Sequence, residues 1–443
     1  MIEYLKKHIQ YFAMVVGWVI TGIYLSPLHL AVIPLSLLLL KWRNLYPEMI
    51  IGFFVIVILA DSLGESMSWA RGIKDIYLVM MAVLFLFNLK EFRYRNNLWY
   101  AFIPFFVLAV ILIFRSPDLK TCSLKTFSFI IVYSILPFYY FKAINEDKDR
   151  FFKGFVLAIS ILLFYGLIMI VLFPDSAYIS GRYKGVMGNP NGLGILCTVF
   201  FALFTIIISD RKNLFSKPEI IAVYALIIIS VLLSASRNSL ISILIFYCFS
   251  RFFKVSYFLG FVLIIIIGIT YQLVITNLPQ ILAAMGLQQY LRVENLEDGS
   301  GRLIAWKFAM QQIQQNFMIG KGINYEIWIF DQHKMYLYRF GPIGNSHNSW
   351  LAMWLNTGLV GLVMYASAFI YRFVKVAGSS PYVLPLMYCV LFSATFEAWL
   401  VGSLNPYTPM LLLMWSYFEV ASATEKAPEK ELVSHPVNQP QLA

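Results

Sequence analysis

The chain is predicted to fold as an all-α integral membrane protein with one long helical loop on its outer side. Three observations predict this. Of its 443 residues, 60% are hydrophobic and only 13% are charged, against roughly 25% charge in a soluble domain. Apolar runs near the ~20 residues that a membrane helix needs recur along most of the chain. Those runs are continuous rather than alternating, which excludes a transmembrane β-barrel. The net charge of +11 then belongs to loops that face anionic lipid or obey the positive-inside rule, not to a nucleic-acid surface.

Taken in order, the apolar runs place spans at 10–25, 29–42, 48–63, 75–90, 98–114, 124–142, 151–173, 191–209, 218–234, 237–252, 254–275, 349–374, 381–400 and 405–421. The first two are short and form a hairpin around Ser26-Pro27 or one broken unit, so the expected total is about 12–14 transmembrane helices. With the N-terminus inside, the short connections divide their Lys and Arg twenty to eight in favour of the inner side, as the positive-inside rule requires. Residues 276–348 form a connection far longer than any other, and loops of that length are usually functional. The expected organisation is a transmembrane bundle over 1–275, the long loop over 276–348, C-terminal membrane helices over 349–421 and a disordered polar tail over 422–443. The first apolar run serves as an uncleaved anchor. Cys122, Cys197, Cys248 and Cys389 show neither metal-ligand nor disulfide spacing, so they read as small buried hydrophobes.

Within the long loop, Leu303, Trp306, Met310, Ile313 and Phe317 follow a 3-4-3-4 spacing. The pattern predicts a helix whose apolar stripe rests on the membrane bundle. Ser300 or Gly301 is placed to cap its start, and Gly320 or Gly322 to end it.

Four basic sites fall on the outer side at or near helix starts. Arg182 and Lys184 precede Asn189-Pro190-Asn191, where Asn caps the next helix and Pro takes its first position. Arg237 opens one span, Arg302 opens the loop helix, and His347 with Asn348 opens the span at 349. A helix N-terminus carries about half a positive charge, so Arg there has the wrong sign for stability. Several such residues on one side point to a bound anion, because free N–H groups and arginine forks both suit phosphate. The bland alternative is that these cations snorkel to lipid headgroups or pair with nearby acids. Glu397 is an acid inside an apolar run, and intramembrane acids are functional candidates; pairing with an arginine is its simpler role. Trp306, Trp350 and Trp354 suit either sugar stacking or an interfacial aromatic belt. Nucleotide-binding loops and H-E-x-x-H are absent from the sequence. The one D-x-D spacing, Asp147-Lys148-Asp149, lies in a charge run on the inner side and reads as a solvated loop.

The stretches GRYKGVMGNPNGLG, SASRNSL, GSGRLIAW and SHNSWL, in this order and ahead of or within a long outer loop, resemble the bacterial O-antigen ligase and O-antigen polymerase family. The resemblance covers roughly residues 180–400. It implies a glycosyltransferase of the bacterial inner membrane whose active site faces the periplasm. The donor would be a glycan on undecaprenyl diphosphate and the acceptor a sugar hydroxyl, with no metal and no cofactor. Arg182, Lys184, Arg237 and Arg302 would hold the diphosphate. His347 would act on the acceptor hydroxyl as base or orienting group, with Asn348, Asn191 and Glu397 in support. MGNPNGLG is more similar to the polymerase branch, which favours another lipid-linked repeat unit as acceptor over lipid A–core; a chain-length regulator would then be a protein partner. A lipid-linked oligosaccharide flippase is the alternative class, but no internal repeat is evident.

Overall fold

The computed structural model describes residues 1–62, 64–92, 98–256, 262, 266, 302–341, 343–402 and 404–426. These residues are almost wholly helical. The helices are α1 (Ile2–Lys7), α2 (Ile9–Tyr24), α3 (His29–Trp42), α4 (Tyr46–Ala60), α5 (Ser68–Phe87), α6 (Ile103–Ile113), α7 (Leu119–Ser134) and α8 (Leu136–Leu172). After α9 (Pro174–Ala177) comes a two-strand hairpin, β1 (Tyr178–Ile179) and β2 (Arg182–Tyr183). Then follow α10 (Pro190–Asp210), α11 (Lys217–Ser234), α12 (Arg237–Val255), α13 (Arg302–Gln315), α14 (Tyr325–Gln332), α15 (Lys334–Leu337), α16 (Ser349–Val376), α17 (Val383–Phe396) and α18 (Tyr407–Lys426). By length and composition four helical stretches among the described residues suffice to cross a membrane, and five shorter ones are apolar. The predicted spans other than 254–275 fall on helices, but 124–142 straddles the junction of α7 and α8 at Ile135, and α8 continues through the predicted connection into 151–172; most of 254–275, the caps at Ser300 and Gly301, and the tail after Lys426 lie outside the described residues.

The bundle is built around α4, every residue of which is buried. It packs between α5 and α8. Around it, α10 and α18 are also largely buried, whereas α2, α3 and α11 keep one apolar face outward, as lipid-facing helices do. The sequence rules fit locally. Asn189 accepts the Gly192 N–H at the start of α10, with Pro190 at the first helical position. At α11, Ser216 and Glu219 form a capping box.

Several expectations need correction. Helix α5 starts at Ser68, seven residues early, so Arg71 and Lys74 sit in its first turns rather than in a loop. Helix α17 stops at Phe396, leaving Glu397 in extended backbone beyond its C-terminus instead of inside a span. Helix α18 runs to Lys426, into the segment expected to be disordered. Asp147 lies at a kink inside α8, and Asp149 pairs with Arg211 at 2.8 Å, so this stretch is a helix joint tied to its neighbours rather than a free loop. Lastly, α13 buries Ala305, Phe308, Ala309, Gln312 and Ile313, while Leu303, Met310 and Phe317 are exposed. Only Ile313 of the predicted stripe is fully buried. Two alanines on the inner face let α13 approach α16 closely, the small-residue rule of membrane packing.

Helix α16 is broken at Gly358, which has φ +74° and ψ 178°. The backbone groups freed there are not left open. Leu359 and Val360 donate to the carbonyls of Phe317 (2.8 Å) and Met318 (3.2 Å), and Gly322 donates to the Asn356 carbonyl (2.8 Å). Irregular backbone at membrane depth is tolerated when protein satisfies it in this way. A Cβ on Gly358 would stand 2.4 Å from the Met318 oxygen, so both the close approach and the positive φ demand glycine.

Candidate functional site

The site forms where helix ends and loops of the bundle converge. Its centre is Glu397. The Glu397 Oε1 accepts from Arg302 Nη2 at 2.7 Å and from Asn191 Nδ2 at 2.9 Å. On the other oxygen, Oε2 lies 3.4 Å from His347 Nδ1. Through Asn191 the network reaches Arg182, whose Nη2 donates to the Asn191 Oδ1 at 2.9 Å. Five residues that the sequence analysis singled out, from four distant parts of the chain, thus meet in one hydrogen-bonded cluster.

Each member is positioned by a local reason. Arg302 is the first residue of α13, and Asn191 lies in the first turn of α10. Glu397 follows the end of α17, where an anion meets a helix terminus of like sign; the hydrogen bonds from Arg302 and Asn191 offset that. Ser349 Oγ also donates to the Glu397 backbone carbonyl at 2.7 Å, which ties this loop to the start of α16. His347 has φ +48°, an uncommon conformation for a residue with a side chain. It is held there from both sides. Its own N–H donates to Asn345 Oδ1 at 2.8 Å, and Asn348 Oδ1 caps α16 by accepting from Trp350 and Leu351. One step further back, Ser346 donates both its N–H (2.8 Å) and its hydroxyl (2.5 Å) to the buried Glu326 Oε1. Burial pushes the Glu326 carboxyl pKa up, against the opposing pull of those bonds.

The cationic residues divide in how they are placed. Arg182 does not sit on a helix N-terminus. Its Nε and Nη2 donate to the carbonyls of Ser234 (3.0 Å) and Ala235 (3.3 Å), at the C-terminal end of α11, which is the favourable sign for a cation. Arg237 opens α12 two residues beyond Ala235 and is exposed. Lys184 is half-buried beside the hairpin, and its burial lowers its pKa. The tryptophans have structural partners: Trp306 Nε1 donates to the Ser346 carbonyl at 2.9 Å, Trp354 Nε1 to the Phe317 carbonyl at 3.1 Å, and Trp350 packs edge-on against Phe369.

Asp61 belongs to the same neighbourhood and was not singled out from sequence. It follows α4, and its Oδ2 accepts the Gly188 N–H at 3.4 Å, just before α10. A charged residue directly after a long apolar run was the signal available. Among the described residues, no group of three or more His, Cys, Asp or Glu converges to hold a metal ion. What the cluster offers chemically is an imidazole oriented by a carboxylate, beside guanidinium groups suited to oxyanions.

The family described as O-antigen ligase matches the chain over residues 222–366. That segment contains Arg237, Arg302 and His347; Arg182, Asn191 and Glu397 lie outside it and are brought to it by the fold. None of the curated proteins matches the chain.

Proposed function

We propose, from the match of residues 222–366 to the family described as O-antigen ligase, that the protein transfers a glycan from undecaprenyl diphosphate to an acceptor sugar hydroxyl during surface-polysaccharide assembly. The observation that carries this reading is the Glu397 cluster, which joins Arg302, His347 and, through Asn191, Arg182. The acceptor oxygen attacks the anomeric carbon, and the bond from that carbon to the diphosphate oxygen breaks with its electron pair. Charge then grows on the leaving diphosphate. Fixed arginines stabilise such charge without reorganising. Arg302 gives Nη2 to Glu397, and its remaining N–H groups are the donors for phosphate oxygens. His347 Nδ1 faces Glu397, so Nε2 is the nitrogen that accepts the hydroxyl proton. The carboxylate fixes the ring and stabilises the imidazolium that forms.

The polymerase reaction is favoured over the ligase reaction by the MGNPNGLG stretch at 187–194. The reading also places the chain in the bacterial inner membrane with the cluster facing the periplasm, and it needs no metal. A flippase would not require an imidazole held against a carboxylate.

The test measures donor affinity and single-turnover transfer side by side on folded variants, with EDTA in the buffer. His347→Ala should slow transfer by about 10²–10⁴-fold with donor affinity near normal. Arg302→Ala and Arg237→Ala should weaken donor binding and transfer together, and Lys should rescue only in part. Wild-type transfer by His347→Ala would remove the imidazole from the mechanism. Activity that vanishes in EDTA and returns with magnesium would remove the metal-independent account.

A further inference from the structure

A cavity of about 610 Å³ adjoins the cluster and is not used by the reaction as described. It shares a wall with the site. Asn345, which holds the His347 N–H, and Ala398, which follows Glu397, both line it. Its volume is in the range of small-ligand pockets, ~300–1,000 Å³.

The lining has two characters. Lys74 from the first turns of α5 and Lys125 from α7 supply positive charge. Lys125 also donates to Asn324 Oδ1, which anchors the loop against α7. Two acids line the cavity as well, Asp75 and Glu326; each feels one of these lysines electrostatically, Asp75 from Lys74 and Glu326 from Lys125. Glu326 is occupied by Ser346. Asp75 is next to Lys74 in α5, and helix neighbours at i,i+1 do not face each other. The rest of the wall mixes polar side chains, Thr121, Ser128, Asn356 and Asn405 among them, with an apolar strip formed by Leu78 and Val79 of α5 and by Leu124, Phe127 and Ile131 of α7. Val79, Leu124 and Phe127 are exposed on the outside of the bundle, so the apolar wall continues onto the surface that meets lipid.

A pocket with two lysines in its lining and an apolar strip leading outward fits an amphiphile with an anionic head. We propose that this cavity is the acceptor subsite, and that Lys74 and Lys125 bind the phosphate of a lipid-linked glycan whose chain lies along α5 and α7. The inference rests on the transfer reaction proposed above. It adds where the second phosphorylated lipid is held: the donor sits beside Arg302 and the acceptor beside Lys74 and Lys125. The shared wall at Asn345 and Ala398 brings the acceptor hydroxyl toward His347.

The experiment uses the full chain with its four cysteines replaced and Thr121→Cys introduced on the cavity wall. Labelling of that cysteine by a maleimide is followed with undecaprenyl phosphate as probe, and separately with inorganic phosphate. We expect the lipid phosphate to slow labelling at least tenfold, inorganic phosphate to protect far less, and the double variant Lys74→Gln/Lys125→Gln to abolish protection. Arg302→Ala should leave it intact. In transfer assays the double variant should raise the acceptor KM at least tenfold with donor affinity unchanged, and Lys74→Arg/Lys125→Arg should recover most of it. Protection that survives the double variant overturns the site and leaves the reaction standing. Equal protection by inorganic phosphate overturns the lipid assignment. A rise in donor rather than acceptor requirement assigns the cavity to the donor and overturns the proposal. Absence of transfer by the parent, with protection and its loss as expected, overturns the proposed function but not the phosphate site.

Discussion

The two ends of the helix bundle handle charge differently. At the end away from the candidate site, cations find carboxylates of their own: Arg150 with the buried Glu48, Lys41 with Glu91, Lys148 with Asp210, Arg211 with Asp149 and Arg372 with Glu419. Tyr417 adds a further hydrogen bond to Asp210. At the other end a single carboxylate, Glu397, faces both Arg302 and His347, and Arg182 donates to neutral carbonyl and amide oxygens. The first arrangement is a closed set of ion pairs that joins helices. In the second, positive groups converge on one acid and keep capacity for an added anion. The difference lies in how carboxylates are distributed, which net charge alone does not report.

The comparison is broken most directly by neutralising a pair at each end. Arg302→Gln with Glu397→Gln should lower transfer by at least about 10²-fold, because it removes both the phosphate donor and the group that orients the imidazole. Single-turnover rates on detergent-purified protein check this, and a loss under threefold would place the site elsewhere. Next in size is the support of His347. Glu326→Ala frees Ser346 and should reduce transfer about tenfold or more and destabilise the fold by about 1–3 kcal/mol, whereas Glu326→Gln keeps the acceptor oxygen and should retain most activity. A carboxyl whose pKa is raised by folding binds protons more tightly in the folded state, so its contribution to stability falls as pH rises above ~4.3. Melting temperatures of Glu326→Gln and the parent should therefore diverge with rising pH, the Gln variant ahead; parallel curves would contradict the burial effect. Gly358→Ala should cost about 1–3 kcal/mol through backbone strain, seen as a lower melting temperature, and near-neutrality would mean the break in α16 is not fixed by the loop. The smallest effect is expected at the opposite end. Arg211→Gln with Asp149→Asn removes an exposed pair worth about 0–1 kcal/mol, and transfer should stay within twofold of the parent.

Much of this was legible in the sequence for physical reasons. Lipid requires continuous apolar helices, so the spans could be read, and helix starts announce themselves, as Asn189-Pro190 and Arg302 do. The resemblance named Arg182, Arg302 and His347 with Asn191 and Glu397 in support, and Glu397 does pair with an arginine, Arg302; what could not be read was that Asn191 and His347 would meet on that same carboxylate, because Glu397 and Asn191 are 206 residues apart. The buried face of α13 was misread because hydrophobicity alone does not say which side chains face the rest of the protein. Leu303 and Met310 are as apolar as core residues, yet Ala305 and Ala309 make the contact. Lys74 and Lys125 were invisible as a pair because their cavity exists only after α5, α7 and the loop assemble.

The stitching of residues 317–322 onto the break in α16 has a mechanical consequence. Helix α13 carries Arg302 at one end, and its other end leads directly into the stitched segment; α16 begins two residues after His347. The two arms are therefore braced as one bracket, closed at the top by Glu397 between Arg302 and His347 and at the bottom by backbone bonds. A bracket of this kind resists the arms splaying apart under load. The geometry between the imidazole and the guanidinium is then set by the frame rather than by what occupies the site.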